Sequence, residues 1–399
     1  MRKLVTLREI DNITPIDGAD KIEIAHIGGW TVVVKKGEFY IGQQVFYFEI
    51  DSLLPLDHCY FQFLRPRGVA KVDGREYHRL KTAKLRGQVS QGLILPHDIV
   101  SMNWKCDWDE ELSIPKTTET EKSPYYDPDE VVEKEIDIHD NYDGDYSKYF
   151  DVIKYEPPVP AELTGQVLPF PAFVRKTDEE RVQNLSDLLP AILEDQGFWI
   201  ATEKIDGTSC SIWAKINSQG VLEYGVCSRN WGIVEDDNNT MWKLAKTPII
   251  HYSMDMLSPL DYLKLKCLED ARSMKETNTP IYILQGEVFG EGIQKNPLGI
   301  KGQKIRFFNF FKSGEQLPIA TLAEKYPELE RVWVPIHQVR LADTLAEIIK
   351  QPDDVKSKLG NHSQIEGFVW RHTRKSMLDT KNRASFKAIS SKYLLKHED

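Results

Sequence analysis

Lys204 stands in the run Thr202-Glu203-Lys204-Ile205-Asp206-Gly207-Thr208, between two apolar, strand-like flanks. Phe198 to Ile205 reads as one β-strand and Ser209 to Ile216 alternates like a second, with Asp206-Gly207 as a tight turn joining them. A lysine at the end of a buried strand is costly as a cation. Its pKa is therefore expected to fall toward neutrality, leaving a free amine able to attack an electrophile. The plainer alternative for an isolated K-x-D-G is a solvated hairpin lysine.

Four later segments repeat the placing of charge in, or at the end of, an apolar run. Ser228-Arg229-Asn230 closes the stretch 222–227, and Glu287 follows Gly286 inside the run 282–290. Glu366-Gly367 repeats that design within 364–370, and Lys387 sits inside Ser385-Phe386-Lys387-Ala388-Ile389. Acids and bases are expensive inside apolar strands unless they are paired or liganded. Each alone also fits an edge-strand charge or a surface ion pair. Together they predict one polar pocket built on a sheet.

In this order the segments resemble the motifs of the covalent nucleotidyltransferases, which comprise ATP-dependent RNA and DNA ligases and mRNA capping enzymes. Lys204 to Gly207 looks like motif I, Arg229 like the arginine of motif Ia and Glu287 like motif III. Glu366-Gly367 looks like motif IV and Phe386-Lys387 like motif V. The closest resemblance is to the nick-sealing RNA ligases. Gly290-Glu291-Gly292-Ile293-Gln294-Lys295 has their G-x-G-x-Q-K form, and Phe307-Phe308-Asn309-Phe310 looks like their aromatic motif IIIa, with Lys312 near the place of its usual acid. The upstream run 177–184 is also typical of them, and it reads as a helix capping box with Thr177 as N-cap and Glu180 at N3. The resemblance spans roughly residues 165–395. Many of these ligases carry a second motif V lysine where this chain has Ile389, and Lys392 is the candidate replacement.

The resemblance implies an α+β chain: an N-terminal OB-like β-barrel, then a nucleotidyltransferase domain of ATP-grasp-like antiparallel sheets with helices. It implies an ATP-dependent RNA ligase that joins 3′-hydroxyl and 5′-phosphate RNA ends, most simply at a nick in duplex RNA. Lys204 would attack the α-phosphate of ATP and carry AMP, which then passes to the RNA 5′-phosphate before the 3′-hydroxyl displaces it. Arg229 would hold sugar or phosphate, Lys387 would contact the α-phosphate, and Glu287 would bond the ribose. Glu366 and Asp206 would bind Mg2+ or Mn2+. The backbone of Glu203 and Ile205 would read the adenine edge beside the turn at Gly207. Phe310 would stack on adenine, with Phe308 as the alternative on the same strand face. A DNA ligase would share Lys204, and a capping guanylyltransferase would take GTP instead. A non-catalytic RNA-binding protein would have no need of Lys204, Glu287, Glu366 and Lys387 together.

The rest of the chain fits that frame. Residues 1–100 hold short strand-like runs (21–25, 30–34, 44–50, 92–96) punctuated by glycine, the pattern of a small barrel. Eight basic residues lie between Arg65 and Arg86, with Phe61, Phe63 and Tyr77 nearby, and look like a nucleic-acid loop. The net charge of −10 argues against a nucleic-acid partner until it is located. Residues 107–151 carry 16 acids and 4 lysines, whereas the remainder carries 45 acids against 47 bases. Residues 101–160 therefore read as an acidic linker or arm, and 161–399 as the adenylyltransferase domain. Five scattered cysteines without a C-x-x-C pair argue against a disulfide framework or zinc site, and no run is long and apolar enough for a membrane span. A soluble intracellular monomer is expected.

Overall fold

The computed structural model describes residues 3–100, 144–156, 165–273, 280–361, 363–380 and 382–397. The chain divides into two compact units, Met1–Pro157 and Pro158–Glu398.

Among its described residues the regular structure of the first unit is mostly strand, with 3-10 turns at Cys59–Arg67 and His97–Val100: β1 (Val5–Glu9), β2 (Asn12–Pro15), β3 (Ile22–Ile27), β4 (Trp30–Lys35), β5 (Gln44–Phe48), β6 (Ser52–Pro55), β7 (Ala70–Val72), β8 (Arg75–Arg79), β9 (Thr82–Leu85), β10 (Gln88–Gln91), β11 (Leu93–Pro96) and β12 (Ile153–Lys154). They form small sheets ordered β1-β5-β11, β2-β3-β4, β9-β10 and β12-β6-β8-β7. Strand β5 explains why Val45-Phe46-Tyr47-Phe48 is apolar throughout. Val45 and Tyr47 enter one cluster with Trp30 and Ile94, while Phe46 and Phe48 enter another with Phe61 and Phe150.

That second cluster corrects two readings. The stretch 144–156 is not linker: Tyr146, Phe150 and Val152 complete this core, and β12 pairs with β6. Its aromatic spacing supplies what a barrel needs, and the surrounding acids mask it in a charge count. Residues 101–143 and 157–160 of the expected acidic linker lie outside the described residues. The basic loop is also less free than expected. Phe61 and Tyr77 are buried, leaving Phe63, 53% exposed, as the outward aromatic of the three. Arg65 pairs with Glu76, Arg75 with Asp57 and Asp151, and Arg79 with Asp51 while stacking on Tyr155.

In the second unit β13 (Val167–Leu168) precedes α1 (Leu189–Glu194), β14 (Trp199–Lys204), β15 (Thr208–Ile216), β16 (Leu222–Cys227), β17 (Gly232–Ile233), α2 (Thr240–Lys246), β18 (Ile250–Tyr252), β19 (Asp255–Leu257), α3 (Pro259–Ser273), β20 (Ile281–Gly290), β21 (Gln303–Lys312) and β22 (Glu315–Gln316). Then come α4 (Ile319–Lys325), β23 (Ile336–His337), α5 (Leu345–Lys350), β24 (Gly367–His372), β25 (Ser385–Ile389) and α6 (Ser391–His397). Two antiparallel sheets result, ordered β13-β17-β16-β15-β20-β21-β22 and β23-β14-β24-β25. Residues of α2 and α3 cover the larger sheet through Trp242, Leu260, Tyr262 and Leu263. Ile192 and Ile348, from α1 and α5, pack with Trp199, Trp370 and Phe386 of the smaller one.

The expected β14–β15 hairpin does not form. Strand β14 pairs with β23 and β24, and β15 with β16 and β20, so Ile205-Asp206-Gly207 crosses from one sheet to the other. Gly207 is required by close approach, because a Cβ there would lie 2.3 Å from the Val288 carbonyl oxygen. Nor does Thr177 cap a helix. Residues 177–180 form no helix, Arg181 is extended, a short 3-10 turn begins at Val182, and the Glu180 carboxylate instead accepts from Arg181 N–H and Asn184 Nδ2. The three-residue spacing is that of a capping box, but the backbone is held along β25 by Lys387 N–H donating to the Glu180 carbonyl, 2.8 Å.

Candidate active site

A lysine at the end of β14 stands where the two sheets part, and the cleft between them, about 330 Å³, gathers the charged residues that the sequence separates. Lys204, Asp206, Gly207, Arg229, Glu287, Glu366 and Lys387 all line it, as do Glu203 and Ile205. They come from five places: the β14–β15 crossing, the loop after β16, the middle of β20, the residue before β24, and the middle of β25.

Lys204 Nζ lies 2.6 and 2.7 Å from the two oxygens of Glu366, a geometry set by the β14–β24 ladder that pairs Lys204 with Gly367. Burial works to lower the lysine's pKa. The negative charges of Glu366, Glu287 and Asp206 outweigh it and hold Lys204 above the ordinary lysine value. The expected fall toward neutrality is therefore reversed: without nucleotide the amine is a paired ammonium. The physical reason is that desolvation never acts alone here, because the same pocket supplies three carboxylates.

Burial weighs against the charge of Glu287 as well. Burial pushes its carboxyl up to about 8, against the pull of Lys204 and with the help of Glu366 and Asp206. Ser209 Oγ donates to it at 3.3 Å. Since the folded chain holds this proton while an unfolded glutamate releases it near pH 4.5, stability should fall as pH rises from that value toward 8. Metal-free Glu287→Gln, isosteric with the neutral acid, should lose that decline. Thermal midpoints between pH 5 and 8 check this, and parallel curves for the two proteins would remove Glu287 as the source.

The other charges are also engaged. Arg229 bonds Asp178 at 2.5 Å, while Lys176 Nζ donates to the Arg229 carbonyl and to Asn230 Oδ1 at 3.2 and 3.1 Å. Tyr393 Oη, from α6, donates to Asp206 Oδ2 at 2.6 Å. Lys392 does not stand in for a second motif V lysine. It points away and pairs with Asp354, and Ile389 is buried.

Phe310 is not in the cleft. It is fully buried against Tyr282 and Tyr326 under the helices, and Phe308 lines the cleft instead. The two were expected on one face, but the β20–β21 ladder pairs Gln285 with Asn309 and Gly286 with Phe307. Phe308 is left as the extra residue of a bulge, which reverses the alternation beyond it.

The sequence reading also missed Arg371. Its side chain lines the cleft, bonds Asn309 Oδ1 at 2.8 Å, lies 3.3 Å from Glu179 and sits over the Phe308 ring at 5.4 Å. The signal was available, since Arg371 continues the apolar run 367–370 of β24 and is a charge in a buried strand like the others.

Among the described residues no group of three or more His, Cys, Asp or Glu forms a ready metal cage. The donor set does fit a hard divalent ion that takes one or two carboxylates and completes its shell with water and phosphate oxygens. Glu366, Asp206 and Glu287 supply the carboxylates on the cleft wall.

Residues 4–97 match the OB-fold domain, and residues 197–389 match the RNA ligase family. No curated protein matches the chain by sequence. Among solved structures, the Naegleria gruberi RNA ligase with PPi is 32% identical over 100% of both chains, with a TM-score of 0.64. A variant of that ligase with AMP and Mn gives the same identity and coverage at a TM-score of 0.66. Another variant, with ATP and Mn, is 32% identical over 100% of this chain and 98% of its own, at 0.63. With an all-β OB domain followed by two sheets around a lysine cleft, this chain belongs to the ATP-dependent RNA ligases.

Proposed function

We propose that the protein seals 3′-hydroxyl to 5′-phosphate RNA ends, with a nick in duplex RNA as the substrate, through a covalent AMP on Lys204. What carries this reading is the meeting of Lys204, Arg229, Glu287, Glu366 and Lys387 in one cleft, with the Lys204 amine held on Glu366.

Lys204 attacks the α-phosphate of ATP only as the free amine, so it first gives up its proton to solvent and its pairing with Glu366; the N–P bond of the lysyl-AMP then forms as the bond between the α- and β-phosphates breaks and pyrophosphate leaves. A bound Mg2+ or Mn2+ would supply positive charge at the phosphates and a competing partner for the Glu366 and Asp206 carboxylates. Lys387 and Arg229 then neutralise the phosphates, which is where displacement at phosphorus needs stabilisation. Arg229 reaches them by exchanging Asp178 for phosphate or sugar oxygens. Glu287 accepts from the ribose hydroxyls. Phe308 and the valines Val334 and Val369 give the base apolar walls, with Arg371 fixing the Phe308 ring. Glu203 N–H already donates to the Pro335 carbonyl at 2.8 Å, so of that residue's backbone the carbonyl is the group offered to an adenine amino group.

Phe308 and Phe310 should separate in mutants. Phe308→Ala should weaken ATP binding by about 1–3 kcal/mol, the worth of one stacked base, with little change in the melting midpoint. Phe310→Ala should instead cost about 3–5 kcal/mol of stability by opening a core cavity. ATP titration beside thermal denaturation distinguishes them.

The function is tested by incubating the full chain with labelled ATP and divalent metal, isolating protein–AMP, and chasing with nicked RNA and nicked DNA. Transfer and sealing confined to the RNA nick are expected. Absence of a protein–AMP adduct would overturn the mechanism, and equal or better sealing of DNA would overturn the substrate.

A further inference from the structure

We propose that the Glu203 carboxylate is a positioning residue that sets the spacing of Lys204 and Glu366 from the side of β14 turned away from the nucleotide; this rests on Lys204 being the amine that takes AMP. Along a strand successive side chains leave opposite faces. Thr202 and Lys204 share one side, and Glu203 projects to the other. There its side chain is 1% exposed.

Three donors converge on this buried carboxylate. His337 Nε2, on the neighbouring strand β23, approaches to 3.1 Å; Ser357 Oγ donates to the other oxygen; and Lys358 N–H donates at 3.0 Å. A carboxylate taken out of water is tolerated only when such donors replace its hydration. The carboxylate in turn ties two chain segments together, since it accepts from the 357–358 stretch and from β23 at once.

The consequence reaches the cleft through a short paired turn. Ser357 N–H donates to the Ser363 carbonyl at 2.8 Å and Ile365 N–H to the Val355 carbonyl at 3.1 Å, with Lys356 bridged to Gln364. Glu203 grips the first arm of this turn at Ser357 and Lys358, and the second arm runs directly into Glu366. The contacts close a ring: Lys204, its chain neighbour Glu203, the Ser357 arm, the Gln364 arm, Glu366, and back to Lys204 Nζ. Leu359, one residue beyond the gripped arm, packs in the same apolar cluster as Ile205, on the far side of Lys204. The chain on either side of the nucleophile is thus tied to the turn that delivers its acid partner. Without the Glu203 carboxylate, Ser357, Lys358 and His337 must each find another acceptor, and the turn carrying Glu366 moves with the first two. Groups facing the nucleotide belong to other elements, Arg229 to the loop after β16 and Glu287, Phe308 and Lys387 to β20, β21 and β25, and keep their places.

The experiment compares wild type, Glu203→Ala, Glu203→Gln, Ser357→Ala and His337→Ala by single-turnover protein–AMP formation across ATP concentrations, each normalised to folded protein. Glu203→Ala should lower the maximal rate by roughly 10²-fold, the size expected for a small misplacement of reacting groups, with half-saturating ATP little changed. Glu203→Gln keeps one acceptor oxygen and should recover most of the rate. Ser357→Ala and His337→Ala each remove one donor and should fall between, with melting midpoints near wild type. A Glu203→Ala enzyme at wild-type maximal rate, or one impaired only in half-saturating ATP, overturns the proposal. If Glu203→Ala fails to fold, wild-type rates in both Ser357→Ala and His337→Ala overturn it. A wild type that forms no adduct at all refutes the assignment of Lys204 instead, so the two failures are distinct.

Discussion

Lys204→Ala should form no protein–AMP with labelled ATP and divalent metal, a loss on the order of 10³-fold or more, because a covalent step cannot proceed without its nucleophile. Among the described residues that line the cleft the second lysine is Lys387, which leaves from the middle of β25 rather than from the crossing at Gly207. The substitution also removes the cation that Glu366 holds at 2.6 Å, so two or three carboxylates are left facing one another. Part of that cost is relieved by Glu287 staying protonated, since its carboxyl is already pushed up to about 8. The variant should therefore fold. Intact-mass measurement after incubation with ATP gives the readout, and adduct at wild-type yield would move the nucleophile elsewhere.

Glu366→Ala should lower adenylylation by about 10²–10³-fold, the scale seen when one preorganised charge is removed from an active site. Two influences oppose each other in this variant. Losing the carboxylate removes the strongest influence holding the Lys204 pKa up against burial, so its pKa drops and the share of free amine rises. That change alone would speed the reaction. The amine, however, is no longer aimed, and the divalent ion loses a carboxylate. Positioning should win on rate, while the pKa change shows in the pH profile: the residual activity should level off at a lower pH than wild type. Glu366→Gln should show the same pH displacement with a milder rate loss, since its amide oxygen still accepts from Lys204. A faster enzyme, or an unmoved pH profile, would mean that Glu366 does not govern the lysine.

The five charged motifs were legible because a charge inside an apolar strand has few physical excuses, and the cleft is where all five meet. The barrel strands were legible for the same kind of reason, from short alternating runs between glycines. What escaped depended on partners distant in sequence. Alternation alone put Phe308 and Phe310 on one face, and only the pairing of β21 with β20 reveals the bulge that separates them. The lysine's pKa was misjudged because burial is visible along one strand whereas Glu366 arrives 162 residues later. Arg371 obeyed the rule that found the other charges and lay one residue past the segment to which it was applied. The sheet crossing at Asp206-Gly207 looks like a hairpin turn locally, since D-G suits either.

Completion of the first core by Phe150 has a consequence during synthesis. Strand β11 ends at Pro96, yet Phe46, Phe48 and Phe61 meet Phe150 only when that residue has been made. A ribosome adding roughly 5–20 residues per second spends about 3–12 s between β11 and β12. For that interval the emerging barrel shows an aromatic surface with nothing yet to cover it, and the open edge of β6 waits for a two-residue partner. Slowing translation over residues 97–156 should therefore lower the soluble yield of the whole protein more than slowing it after residue 157, where the first unit is already closed.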